Sequence, residues 1–154
     1  EYVSSKEDLL YLVCKAIHSE VRKAVEEALV DETTKKKQRL AQGIRQYFLV
    51  CDKMRDHTLL MYQVTQFLPL KWRRRVLVNE LNITDIFIDA LGQLSGKGSF
   101  PKLDEKTMNL VGHNISVLGH MWAFRNWYLK KDFTIEAYIK IQTDFILGLV
   151  FNGE

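Results

Sequence analysis

The sequence predicts an all-α fold, and three observations carry that expectation. Apolar residues recur at three- and four-residue steps along almost the whole chain, no stretch alternates convincingly as a strand would, and only two of the 154 residues are proline. At this length, and with 47% apolar residues, the chain suits one domain able to bury a core of its own.

Six helices follow from the pattern. Ser4-Ser5-Lys6-Glu7-Asp8 reads as a serine cap followed by carboxylates, and Leu10, Val13, Ile17, Val21, Ala24 and Ala28 continue a helix from 5 to 29. Thr33 or Thr34 is expected to cap the second, whose buried stripe is Leu40, Ile44, Tyr47, Phe48, Cys51 and Met54. A short third helix spans 59 to 67. Pro69 is expected in the first turn of a long fourth, with Val76, Ile83, Phe87, Ala90 and Leu94 on its apolar face. Gly96-Lys97-Gly98-Ser99-Phe100-Pro101 breaks the chain. Asp104 then caps a helix to about 131, and Thr134, with Glu136 in its first turn, caps a last one to about 151.

The last two helices carry more apolar surface than one side of a bundle can cover. Ile135, Tyr138, Ile139, Gln142, Phe145, Ile146 and Leu149 form one stripe of the final helix, while Ile141, Leu147 and Phe151 fall elsewhere around it. On the helix before it Gly112, Ser116, Gly119 and Ala123 make a small-residue face that lets another backbone approach, and Met121, Trp122, Phe124, Trp127 and Tyr128 project from other sides. A helix apolar on most of its circumference must be covered on most of it. The pattern therefore predicts a homodimer in which this pair and its symmetry mate form an intermolecular four-helix bundle, with Gly112, Ser116, Gly119, Ala123, Tyr138, Gln142, Phe145 and Leu149 at the interface. The competing reading makes the pair the buried centre of a monomer.

Chemistry is sparse. Nucleophile-elbow, phosphate-loop and dinucleotide glycine patterns are absent, so no enzyme is predicted. Cys14 and Cys51, 37 residues apart, lie in apolar stripes and read as reduced core thiols of a cytoplasmic protein. His113 and His120 are seven apart without the i, i+3 or i+4 partner that metal ligands on a helix need, so neither metal nor cofactor is expected. The longest apolar run, 145 to 151, is too short for a membrane span. The net charge of +3 does not by itself imply nucleic acid. Lys71-Trp72-Arg73-Arg74-Arg75 is the sharpest basic run, able to grip an anion or simply to sit in solvent, and Lys35 to Lys37 read as solvated. Aromatic and polar residues mix on several helices (Tyr47, Tyr62, Asn79, His120 among them), as a small-molecule pocket requires and as an ordinary core also allows.

Three stretches resemble the tetracycline-repressor-type (TetR) family of transcriptional regulators. Tyr2-Val3-Ser4-Ser5-Lys6-Glu7-Asp8-Leu9-Leu10 is similar to the junction after that family's helix-turn-helix. Residues 60 to 69, LMYQVTQFLP, are similar to one large branch, with Val64 and Phe67 departing from its pattern where ligand specificity is set. The most specific is 118 to 138, LGHMWAFRNWYLKK followed by FTIEAY. The resemblance implies residues 1–4 as the remnant of a DNA-recognition helix and 5–154 as the effector-binding and dimerisation body of a repressor. Its DNA-reading unit would stand ahead of Glu1, so operator DNA is a partner of the full-length protein only. It implies phosphate contacts by Tyr2 and Lys6, dimerisation through the last two helices, and a small apolar or aromatic effector, with an acyl thioester whose phosphates meet Lys71 to Arg75 as one candidate. Helical face and family placement together nominate Cys14, Phe48, Tyr62, Phe67, Phe87, His113, His120, Phe124 and Trp127 as effector-binding residues. The alternative is a constitutive helical dimerisation domain with no effector.

Overall fold

Helix α1 (Lys6–Leu29) starts where the serine pattern places it, with the Ser5 side chain accepting from the Asp8 amide at 3.1 Å. This computed structural model describes residues 5–151, and among them the secondary structure is helical throughout: α2 (Lys36–Lys53), α3 (Arg55–Thr65), α4 (Leu70–Leu94), α5 (Glu105–Phe124), α6 (Asn126–Leu129) and α7 (Ile135–Phe151) follow α1. Tyr2 and the segment 1–4 lie outside the described residues.

Seven helices stand where six were expected, because the long helix from Asp104 divides at Arg125. There the backbone leaves helical geometry (φ −104°, ψ 5°) for one residue, and the chain restarts as the single turn α6. The caps at Asp104 and Thr134 form as expected, donated to by Thr107 N and Ala137 N. The cap at Thr33 or Thr34 does not: both hydroxyls turn back to the Asp31 carboxylate, and α2 begins at Lys36, with Lys35 in the cap position and no side-chain cap bond. Helix α3 starts four residues early and ends at Thr65. Pro69 sits just outside α4, its carbonyl accepting from Trp72 N and Arg73 N. Between α4 and α5, Gly96 and Gly98 take φ of 70° and 63°, a region closed to most side chains, and turn the chain.

α2 runs through the middle, touching α1, α3, α4, α5 and α7. Its stripe Leu40, Ile44, Tyr47 and Phe48 is wholly buried, against Val21 and Val25 of α1, Phe87 and Leu91 of α4, Ile115 of α5 and Ile146 of α7. A bidentate pair, Arg45 to Glu136 at 2.6 and 2.8 Å, ties the outer side of α2 to the start of α7.

The small-residue face of α5, expected at a dimer interface, packs within the protomer. Gly112 faces α4, where a Cβ would stand 2.6 Å from Ile88 Cγ1; Gly119 faces α2, where a Cβ would meet the Tyr47 ring and Cys51 Sγ, the latter at 2.9 Å. The Ser116 carbonyl accepts from Tyr47 Oη at 2.7 Å, Ala123 is buried, and Tyr138 packs inside on Trp122 with its hydroxyl bonded to the Leu118 carbonyl. These five residues are thus engaged inside the protomer. Gln142 is half-buried, whereas Phe145 and Leu149 stay outside with Ile141 of α7 and Leu110 and Val117 of α5.

Gly119→Ala should therefore lower stability by about 1–3 kcal/mol through overpacking against Tyr47. Gly43→Ala, whose Cβ would have only ordinary contacts of 3.5 Å or more, should be neutral or stabilising. Urea unfolding of the two variants checks this, and equal effects would refute it.

Candidate functional site

Three helices bring a polar pair into an otherwise aromatic cluster. α3 carries Tyr62 and α5 carries His120 one turn before Phe124, so that Tyr62 Oη lies 3.1 Å from His120 Nδ1, with the two rings edge-on at 5.5 Å. Tyr62 also packs on Phe124 at 5.4 Å. Behind His120 stands Tyr47 of α2, which touches Phe87 at 5.1 Å and Phe48 at 5.7 Å; Phe48 in turn meets Tyr138 and, beyond it, Trp122. A second polar group joins α1 to α4, where Asn79 Nδ2 donates to the carbonyl oxygen and to Sγ of Cys14, each at 3.0 Å.

The structure brings Phe48, Phe87, Tyr62, His120 and Phe124 into one aromatic cluster, places Cys14 in the α1–α4 contact, and sets the other three nominated residues apart from it. Phe67 is 81% exposed on the α3–α4 corner. Trp127 lies outside on α6 against Tyr128. His113 shares the helical line of His120 but is exposed, whereas Tyr62 of α3 packs on His120 and Phe124. Two further groups went unnominated. Cys51 lies beside Tyr47 and Gly119, and Glu80 is a half-buried carboxylate. The signal for Glu80 was its place beside Asn79 within the apolar α4 stripe.

Burial sets the electrostatics. It holds the His120 imidazole down to about 4, pushes the Tyr62 phenol up to about 12 with the Glu80 carboxylate adding to the rise, and pushes the Cys51 thiol up to about 12. It raises the Cys14 thiol and the Glu80 carboxyl as well. At neutral pH the imidazole, phenol and thiols are uncharged, so the group offers hydrogen bonds and ring faces, and the thiols are poor nucleophiles. Among the described residues no three His, Cys, Asp or Glu side chains converge as metal donors. Five surface clefts of 400 to 590 Å³ lie elsewhere, between α2 and α7 (Arg45, Glu136, Thr143) and along α1. The Tyr62–His120 region itself is packed, with Tyr62, 42% exposed, at its outer edge.

Comparison with known proteins identifies no relative: no family model, no curated protein and no solved structure matches the chain. Among the described residues no helix is long and apolar enough to cross a membrane.

The neutral histidine predicts a pH dependence. The folded value near 4 lies below the ordinary 6.5, so the unfolded chain takes the proton first. The contribution, up to about 3 kcal/mol, is complete above pH 6.5 and lost as pH falls toward 4. His18, also lowered by burial, acts in the same direction, while the raised Glu80 opposes it. Thermal unfolding of His120→Gln across this window should show a much shallower fall than the parent; parallel curves would refute the assignment.

Proposed function

We propose that this chain is the effector-binding and dimerising body of a TetR-type transcriptional repressor, controlling a helix-turn-helix unit joined through the start of α1. The observation that carries the reading is the Tyr62–His120 pair, a directional polar contact between α3 and α5 at the exposed edge of a neutral aromatic cluster. Such a group suits an uncharged apolar or aromatic effector with one or two hydrogen-bonding atoms. An effector entering at Tyr62 exchanges the bond to His120 for bonds of its own and displaces α3 from α5. The α4 helix carries Glu80 beside this group and Asn79 against Cys14, so the displacement passes to α1. An effector that favours one placement of α1 shifts the population of DNA-competent states by its differential affinity.

Dimerisation belongs to the same reading, through a narrower surface than the sequence pattern proposes: Ile141, Phe145 and Leu149 of α7 with Leu110 and Val117 of α5. These form lines on two helices that are themselves paired through Tyr138. Phe145→Glu with Leu149→Glu should turn a dimer into a folded monomer at micromolar concentration, read by light scattering with circular dichroism as the check on folding. A parent that is already monomeric sinks this part of the proposal.

A constitutive dimerisation domain without effector is the second reading, favoured by the complete burial of Tyr47, Phe48 and Phe87 and by the position of the clefts away from Tyr62. Native mass spectrometry of gently purified protein, followed by a thermal-shift panel of aromatic and aliphatic compounds, separates the two. A compound at 100 times its Kd should add about 2.7 kcal/mol, and Tyr62→Phe or His120→Gln should weaken its binding about tenfold, the worth of one hydrogen bond. An empty dimer with a flat response across the panel selects the second reading.

A further inference from the structure

Lys71, Arg74 and Arg75 form an exposed cationic patch at the start of α4 that has no ion-pair partner among the described residues. Arg22, Arg45, Lys53, Arg55 and Lys140 each lie within 4 Å of a carboxylate. Among the described residues none of the three patch cations does, and the first turn of α4 holds no acidic residue. Two of them are nevertheless held in place. The Arg75 guanidinium lies 4.9 Å from the Trp72 ring and 5.8 Å from Tyr11 of α1, and Lys71 Nζ lies 5.9 Å from Trp72. Contact with aromatic faces orders these side chains while leaving their charge unneutralised. Next to them Arg73 donates to the Gln66 and Leu68 carbonyls, bracing the corner from which α4 departs.

Tyr11 places the patch at the beginning of α1, little more than a turn from Lys6, and so at the end of the molecule to which the function proposed above joins a DNA-reading unit. We propose that Lys71, Arg74 and Arg75 make a sequence-independent contact with the phosphate backbone of duplex DNA, supplementing base readout by that unit. The inference rests on the regulator reading for its partner. Exposed Leu70, Leu77, Leu81 and Val78 lie on the same side of α4 as Arg74 and Lys71, so an anionic bilayer is the competing occupant that the test must separate; duplex DNA is preferred because the patch adjoins the start of α1, where the proposed DNA-reading unit joins.

The test is fluorescence anisotropy of a labelled duplex of arbitrary sequence, titrated with this chain across a salt series starting near 20 mM. The variants are Lys71→Gln with Arg74→Gln and, as a control of equal net charge at the far end of α1, Lys35→Gln with Lys36→Gln. Neither pair removes the Arg75–Trp72 contact, and circular dichroism verifies folding. The parent should bind weakly and lose affinity steeply with salt. The α4 pair should weaken binding at least fivefold and reduce the slope of log K against log salt by about 2, at roughly 0.9 per phosphate contact, while the control stays within twofold of the parent. Equal losses in both variants reduce the effect to net charge and overturn the proposal. So does a parent that ignores duplex DNA, or one that binds anionic phosphatidylglycerol vesicles instead. Dimer mass and effector response involve neither Lys71 nor Arg74, so a negative result here leaves the regulator reading standing; a monomeric, unresponsive chain would remove that reading itself.

Discussion

The contact between Tyr47 and the Gly119 turn of α5 is the constraint on which the rest of the structure depends. Without a side chain at Gly119, the Tyr47 ring lies against the α5 backbone, and its hydroxyl reaches the Ser116 carbonyl three residues earlier. That carbonyl also serves the α5 helix, so the bond adds a buried donor without leaving an unsatisfied one. Because Tyr47 belongs to α2, which touches five other helices, its seating sets the distance of α5 from the centre of the bundle. Phe48, the next residue, carries the same registration to α7 through Tyr138.

The candidate site inherits its geometry from this seating. His120 follows Gly119 directly, and its ring lies 6.3 Å from that of Tyr47, so the close approach that buries Tyr47 also strips water from the imidazole. A histidine kept neutral by burial holds its hydrogen bond to Tyr62 without a charge to desolvate. The neutrality of the site and the density of the core thus have one cause. Tyr62, on the short helix α3, is the member of the group with least cover, and it is where a ligand could exchange contacts with least loss of packing.

The two ends of the molecule differ in what they leave uncovered. α5 and α7 leave Leu110, Val117, Ile141, Phe145 and Leu149 exposed, among charged residues such as Lys140 and Asp144. The start of α4 exposes three cations, two of them held by aromatic rings. Apolar surface is favourably removed from water against apolar surface, whereas unpaired cations gain most from a polyanion. A dimer contact along one side and an electrostatic contact at one end are mutually compatible, because they use different helices.

Local sequence determined the helices, most of their ends and the core stripes. The three- and four-residue spacing decides which face of each helix is apolar, and Ser5, Asp104 and Thr134 cap because their side chains reach backbone amides three residues away. Local sequence also led to Tyr62, His120 and Phe124, through helical face and a family resemblance. Tertiary structure decided what covers each face. Gly112 and Gly119 read equally well as a surface for a partner and as a seat for Ile88 and Tyr47, since spacing records that a backbone must approach but not whose. His113 and His120 occupy one helical line, yet one is exposed and the other buried, with Tyr62 of α3 packed on the second. Periodicity is a property of a single helix, whereas burial belongs to its neighbours, and those are chosen by the packing of the whole chain.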